Sequence, residues 1–194
     1  MIDSGNGFNV IGLQKGHLRY NVDNGITYQY IGGSANDITS WRVVFGNEAY
    51  AQLSNIGNVV PADTSPLLVT FQADELRGIT LVRNIGLTIQ ERGIYSIINA
   101  VQCAKTSGVS AVFLDMWVRK NGVDVPNTGV RNTVIQVTET KVLVLNWTGE
   151  LLVGDVIQKY IAVGTAGVGL GLYTFTNTVG AVIPAGVFSI MKIQ

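Results

Sequence analysis

The sequence of 194 residues has few of the side chains from which metal and catalytic sites are most often built. It contains one histidine, which disfavours a zinc site with several His ligands. It also contains a single cysteine, Cys103, which excludes an intrachain disulfide. No stretch approaches the roughly 20 uninterrupted apolar residues of a membrane helix, so no transmembrane segment is predicted.

Charge is scarce as well. Charged residues make up 13% of the chain, against roughly 25% in an average soluble protein, and 13 basic residues balance 13 acidic ones. A net charge of zero argues against a nucleic-acid-binding protein. Hydrophobic residues reach 47%, and the mean hydropathy is +0.31. Because a soluble monomer of this kind would tend to associate, we expect other protein to cover much of the surface.

The hydrophobic pattern predicts an all-β chain. Segments of period two recur about every ten residues, no run shows sustained helical periodicity, and 23 glycines supply turns. The predicted strands after residue 64 are 67–72, 78–81, 87–89, 95–101, 109–119, 133–137, 142–147, 153–163, 168–175 and 187–193. Eight to ten antiparallel strands within about 130 residues predict a β-sandwich or jelly roll.

The first 63 residues are predicted to form a separate N-terminal segment with β-hairpins. Residues 18–31 alternate on both sides of Asp23-Asn24-Gly25, and Asn-Gly favours a tight hairpin turn. A second pair, 41–45 with 49–53, is also expected. Prolines at positions 61 and 66 favour an extended joint. The predicted domains are therefore 1–63 and 64–194.

Two predicted strands are apolar on both faces. In the strand 109–119, the expected core positions are Val112, Leu114, Met116 and Val118. The opposite face of that strand carries Phe113, Asp115, Trp117 and Arg119. In the strand 95–101, Ile97 and Val101 share one face, whereas Ile98 and Ala100 share the other. An antiparallel sheet normally has one polar face, so a second layer is expected from a neighbouring subunit or, alternatively, from a local loop or the N-terminal segment.

Several sequence motifs resemble one known family. They are GIYSI at 93–97, MWVRKNG at 116–122, VGDVI at 153–157 and the closing strand within 184–193. Together they resemble the C1q/TNF-like jelly roll across about residues 64–194, and most closely its versions in bacteriophage structural proteins. The chain has no collagen-like Gly-X-Y repeat, which disfavours a complement-type molecule. Its first residues have no basic or apolar segment typical of a signal peptide, which disfavours a cytokine and favours assembly in the host cytoplasm.

The resemblance implies a homotrimer with aromatic side chains packed around the threefold axis. The matching positions are Tyr95, Phe113, Trp117 and Tyr173, and Asp115 and Arg119 join them as candidates for the trimer interface or the core. Asp115 lies between aromatic residues and should be paired with a cation, either Arg119 or Arg131.

Other motifs have simple structural explanations. The glycine-rich segment 164–171 lacks the Gly-Lys-Ser/Thr ending of a phosphate loop, so a loop or a glycine-kinked strand is expected, open to close approach by another subunit. His17 is expected in a solvated loop, and Cys103 as a buried thiol. Turn formation explains Asp124 and Asp155, with a calcium site as the alternative. No cofactor is expected.

These observations predict a non-enzymatic bacteriophage virion protein, in particular a trimeric capsid decoration (cement) protein. Its expected partners are itself and the major capsid protein or another virion protein, with neither nucleic acid nor membrane. The aromatic residues expected to attach the N-terminal segment to the particle are Tyr20, Tyr28, Tyr30 and Trp41. One alternative is a tail-fibre or receptor-binding tip that presents loops 122–131 and 164–167. A jelly-roll carbohydrate-active enzyme is a further alternative and would need paired carboxylates.

Overall fold

The computed structural model describes residues 14–21, 26–34, 37–45 and 48–194. The chain divides into two compact units, Met1–Glu48 and Ala49–Gln194. The division lies before the predicted boundary at 63/64. That boundary was misplaced because residues 50–55 form a strand of the larger unit, so the two prolines at 61 and 66 lie in a connection inside that unit.

The smaller unit contains a three-stranded antiparallel sheet. Its strands are β1 (Leu18–Asn21), β2 (Ile26–Tyr30) and β3 (Trp41–Phe45), with a short 3-10 turn at Ile38–Ser40. Pairing of β1 with β2 confirms the predicted hairpin, although Asp23-Asn24-Gly25 lies outside the described residues. The predicted pairing of 41–45 with 49–53 is wrong, because β3 pairs with β2.

The larger unit consists of fifteen strands. They are β4 (Tyr50–Asn55), β5 (Leu67–Leu68), β6 (Gln72–Arg77), β7 (Ile79–Val82), β8 (Gly86–Ile89), β9 (Gly93–Ala104), β10 (Val112–Lys120), β11 (Val123–Asp124), β12 (Val130–Val134), β13 (Thr140–Leu151), β14 (Val156–Val163), β15 (Gly171–Leu172), β16 (Phe175–Thr176), β17 (Val182–Ile183) and β18 (Gly186–Lys192).

Eight of these strands pair in a nested antiparallel order. The first, β4, pairs with the last, β18, and β8 pairs with β14. Between them, β9 pairs with β13, and β10 pairs with β12. Such first-with-last nesting of eight strands folds them into the two facing sheets of a jelly roll. The predicted fold class, an antiparallel jelly roll with an N-terminal hairpin-rich extension, is confirmed.

The two sheets enclose one hydrophobic core. One sheet has the order β13-β9-β18-β4-β6, and the other contains β10, β14, β8 and β7 with β12 and β11 beside β10. Side chains alternate across each strand, and the inward positions are buried, including the four residues predicted for β10. The inward residues of that strand are Val112, Leu114, Met116 and Val118.

A lysine side chain lies inside this core. Lys159 of β14 is buried, and its Nζ donates to Asn99 Oδ1 at 2.9 Å and lies 5.0 Å from the centre of the Phe71 ring. The Asn99 amide in turn points at Met116 Sδ, 3.2 Å away. Burial lowers the pKa of Lys159 well below its ordinary value because the interior disfavours the ammonium form.

Candidate functional site

Two surfaces of the larger unit stand out, one on each sheet. The first is the outer face of β10 and its neighbours, which holds four of the predicted interface or core candidates: Phe113, Asp115, Trp117 and Arg119. The second is the outer face of β13, β9 and β18.

On the first surface, an ion pair covers the ring of Phe113. Arg131 of β12 lies opposite Asp115, and its Nε and Nη2 donate to the two carboxylate oxygens at 2.6 and 2.7 Å. The same guanidinium lies 3.8 Å from the centre of the Phe113 ring. Gly164 packs beneath that ring, because a Cβ at this position would lie 2.3 Å from it. Of the two predicted partners of Asp115, Arg119 and Arg131, it is therefore Arg131 that pairs with this carboxylate.

The neighbouring aromatic pair is fixed in a similar way. Trp117 stacks on Tyr160 of β14, with ring centroids 5.9 Å apart. Its Nε1 donates to Asp124 Oδ1 at 2.6 Å, and Arg119 Nε donates to the same oxygen at 2.5 Å. The Arg119 guanidinium lies 4.2 Å from the Tyr160 ring centre. Hydrogen bonds from Arg119 and then Trp117 lower the pKa of Asp124 below its ordinary value, because they stabilise the ionised carboxylate.

These contacts show what covers the second apolar face of β10. Side chains of the same sheet cover Phe113 and Trp117, so this face needs no neighbouring subunit. It leaves a depression of about 450 Å³, which we call the Trp117 depression, with Asp115, Trp117, Asp124 and Arg131 among its lining residues.

The second surface lacks such a cover. Leu143 and Leu145 of β13 and Ile97 of β9 point into the core, so the alternate residues of these strands point outward. We call this outer surface the aliphatic face; it comprises Ile98, Ala100, Val142, Val144, Val187 and Met191. Ile98, Val142, Val144 and Met191 are each between 50% and 56% exposed.

Strand register groups the outward residues into rows across β13, β9, β18 and β4. The rows are Val144-Ala100-Val187-Ser54, Asn146-Ile98-Ser189-Gln52 and Thr148-Ser96-Met191-Tyr50. None of these described positions carries a formal charge. Charges begin on the next strand, β6, where Glu75 and Arg77 lie opposite Gln52 and Tyr50. The face also contains a groove of about 200 Å³, lined by Tyr50, Ile98 and Met191 among others.

The remaining interface candidates are held within the chain. Tyr95 is fully buried in the core, its hydroxyl donates to the Glu91 carbonyl at 2.8 Å, and burial raises its pKa to about 12. It is thus a core residue and not an axial one. Tyr173 is half-buried, and its hydroxyl donates to the Gly169 carbonyl at 2.5 Å.

The glycine-rich segment forms a loop followed by the short strand β15. At Gly171, a Cβ would lie 2.5 Å from the carbonyl oxygen of Val59, which bridges to Leu172. The close approach predicted for this segment is therefore made at Gly171 by the same chain, and not by another subunit.

The other chemical candidates have structural roles. Asp155 Oδ2 accepts from the Leu152 amide at 2.9 Å, and its Oδ1 accepts from Asn121 Nδ2 at 2.7 Å, as the turn prediction requires. Cys103 is buried, and burial raises its pKa to about 11. Within the described ranges, no three His, Cys, Asp or Glu side chains are grouped so that they could hold a metal ion. The described residues also include no helix that is long and apolar enough to span a membrane.

Two of the predicted attachment residues form the core of the smaller unit. Tyr30 and Trp41 are buried there, with ring centroids 5.3 Å apart, and Tyr28 packs against them. Tyr30 and Trp41, which were predicted to attach the segment to the particle, are therefore core residues of this unit. The side chain of Tyr20 lies outside the described residues.

Comparison with known proteins gives only structural likenesses. Three crystal structures of murine APRIL, at pH 8.5, 8.0 and 5.0, share 15%, 15% and 13% identity with the chain, each with a TM-score of 0.48. Each match covers 75% of this chain and 99% of the other. No protein-family model matches the sequence, and no curated protein matches it. The nested strand pairing described above establishes the jelly roll by itself.

Proposed function

We propose that this chain is a non-enzymatic structural protein of a bacteriophage particle, which forms a homotrimer through the aliphatic face and decorates the capsid. The aliphatic face is the observation that carries the proposal. It is uncharged over three rows of side chains, and the long edge strand β13 runs along it. Exposed hydrophobic edge strands invite pairing or aggregation unless other protein covers them.

A second copy of the chain is the partner that best fits this face. Fully burying a Val, Ile or Met side chain contributes roughly 1.5–3 kcal/mol relative to leaving it exposed. Four half-exposed side chains of this kind on each subunit therefore provide a substantial driving force. The net charge of zero means that identical copies do not repel one another. Three copies, as in the family that the sequence motifs resemble, would cover the face around an axis.

The proposed function is mechanical. A trimer that contacts several capsid subunits binds only the assembled lattice, so it stabilises the particle by mass action. The sheet that contains β10 and β14 stays available for contacts with the capsid, because the aliphatic face belongs to the other sheet.

Removal and return of the protein test this function. Particles stripped of the protein should rupture at a lower temperature than complete particles, and added wild-type protein should restore the rupture temperature. The variant Val144→Glu, which places a charge on the aliphatic face, should restore much less. Equal rupture temperatures for stripped and complete particles would refute the decoration function.

A receptor-binding tip is the second candidate function, and the Trp117 depression favours it. The depression borders the loop 122–131 that the tail-fibre alternative presents to the host. Imaging of intact particles separates the two functions. Decoration predicts many copies on the capsid lattice, whereas a receptor-binding tip predicts few copies at the tail.

A further inference from the structure

We infer that the Trp117 depression is a binding site for a neutral sugar. The inference deepens the receptor-binding candidate and is independent of self-association, because the depression lies on the sheet opposite the aliphatic face. Three features carry it: the size of the depression, its balance of charge and the fixed positions of its polar groups.

The size suits a small carbohydrate. Sites for small ligands commonly occupy about 300–1,000 Å³, and the depression measures about 450 Å³. The indole of Trp117 lines the depression. The same indole stacks on the ring of Tyr160. An aromatic face gives the apolar C–H side of a sugar ring a surface on which to pack, while the sugar hydroxyls remain free to hydrogen-bond.

The charges select a neutral ligand. Asp115 is paired with Arg131, and Asp124 is paired with Arg119, so the two carboxylates and two guanidiniums cancel. A charged ligand would have to compete with an existing ion pair for its partner. A neutral polyol can instead use the hydrogen-bonding capacity that these pairs leave unused.

That capacity is visible at two groups. Asp124 accepts both of its hydrogen bonds on Oδ1, and within the described part of the chain its Oδ2 has no partner. Arg131 uses Nε and Nη2 for Asp115, which leaves Nη1 as a donor. One unused acceptor and one unused donor beside an aromatic ring match the alternating donors and acceptors of sugar hydroxyls.

The rim of the depression is held in place before any ligand arrives. Thr128 is buried, accepts from the Val118 amide at 3.2 Å and donates to the Val125 carbonyl at 2.8 Å. This anchors the loop between β11 and β12 on β10. A binding site that is already ordered loses little conformational entropy when the ligand binds.

The test uses the full chain and the side-chain N–H signal of Trp117 in NMR spectra. The probes are glucose, galactose, mannose and N-acetylglucosamine, each up to about 10 mM, with galacturonate as the charged match to galactose. At least one neutral sugar should shift the Trp117 signal but not those of Trp41 and Trp147. Galacturonate should bind more weakly than galactose.

Variants connect the binding to the depression. Arg131→Gln and Asp124→Asn should each lower the affinity for the tightest-binding neutral sugar by about tenfold, since each removes a charge-assisted hydrogen bond. The control Arg92→Gln breaks an exposed ion pair with Glu150 elsewhere and should bind like wild type. Thermal unfolding of each variant checks that it is folded.

Three outcomes would overturn the inference: no shift with any of the four neutral sugars, tighter binding of galacturonate than of galactose, or unchanged affinity in both Arg131→Gln and Asp124→Asn. None of them would affect the proposal of a trimeric virion protein, which is tested separately by oligomer mass and by particle stability.

Discussion

The substitution Val144→Glu tests the aliphatic face on its edge strand, β13. Val144 lies opposite Ala100, which in turn lies opposite Val187, so its side chain begins an uncharged row at the edge strand β13. In a single copy of the chain this residue is 52% exposed, and a carboxylate there stays in contact with water. The isolated subunit should therefore lose at most about 1 kcal/mol of stability, the range of β-strand propensity.

The assembled state responds very differently. Burying a charge without a partner costs several kcal/mol, and at about 3 kcal/mol for each of three subunits the trimer loses about 9 kcal/mol. This weakens the trimer dissociation constant by about 10⁶, since each 1.4 kcal/mol corresponds to a factor of ten. The concentration at half-dissociation follows the square root of that constant, so it should rise by about a thousandfold.

Sedimentation velocity over a series of concentrations measures this shift. The control is Val123→Glu, which adds the same charge on β11 of the opposite sheet, at a residue that is 70% exposed. The control should assemble like wild type, whereas Val144→Glu should be monomeric and folded over most of the range. If Val144→Glu assembles at the same concentration as wild type, the aliphatic face is not the interface.

Two other predictions concern the interior of the larger unit. Because burial lowers the pKa of Lys159, the unfolded state binds more protons than the folded state between that lowered pKa and 10.5. The unfolding free energy of wild type relative to Lys159→Met should thus rise with pH in that interval, by at most about 1.4 kcal/mol per pH unit. A difference that stays constant with pH in urea titrations would contradict the lowered pKa of Lys159. Gly171→Ala should cost about 1–3 kcal/mol in the same assay, since its Cβ would meet the Val59 backbone. Gly57→Ala, with no atom near the added Cβ, should cost much less, and equal losses would refute this explanation.

Local patterns were sufficient to predict the fold class. The alternation in residues 109–119 identified the buried side of β10, and most of the predicted strands after residue 78 overlap strands of the jelly roll. The strand β6, Gln72–Arg77, was missed because four of its six side chains are polar and most are exposed, so it shows no alternation of buried apolar residues. Its pairing with β4 depends on a contact between segments, which a local pattern does not show.

The two surfaces of the larger unit could be predicted only in part. The two-sided pattern of Ile98 and Ala100 correctly indicated a strand with an uncovered apolar face. The same argument predicted an uncovered face at Phe113 and Trp117. In the structure, Arg131 covers Phe113 and Tyr160 packs against Trp117. These partners come from other strands, and nothing in the order of residues along β10 shows that they lie above it.

The native mass of the purified full chain in dilute solution is the sharpest test of whether copies of this chain cover one another's aliphatic faces. At about 1 µM, where an interface must be stronger than about 8 kcal/mol to be mostly formed, the predicted result is a single species with three times the chain mass of 20.8 kDa. A single species of 20.8 kDa at this and all higher soluble concentrations would contradict such self-association.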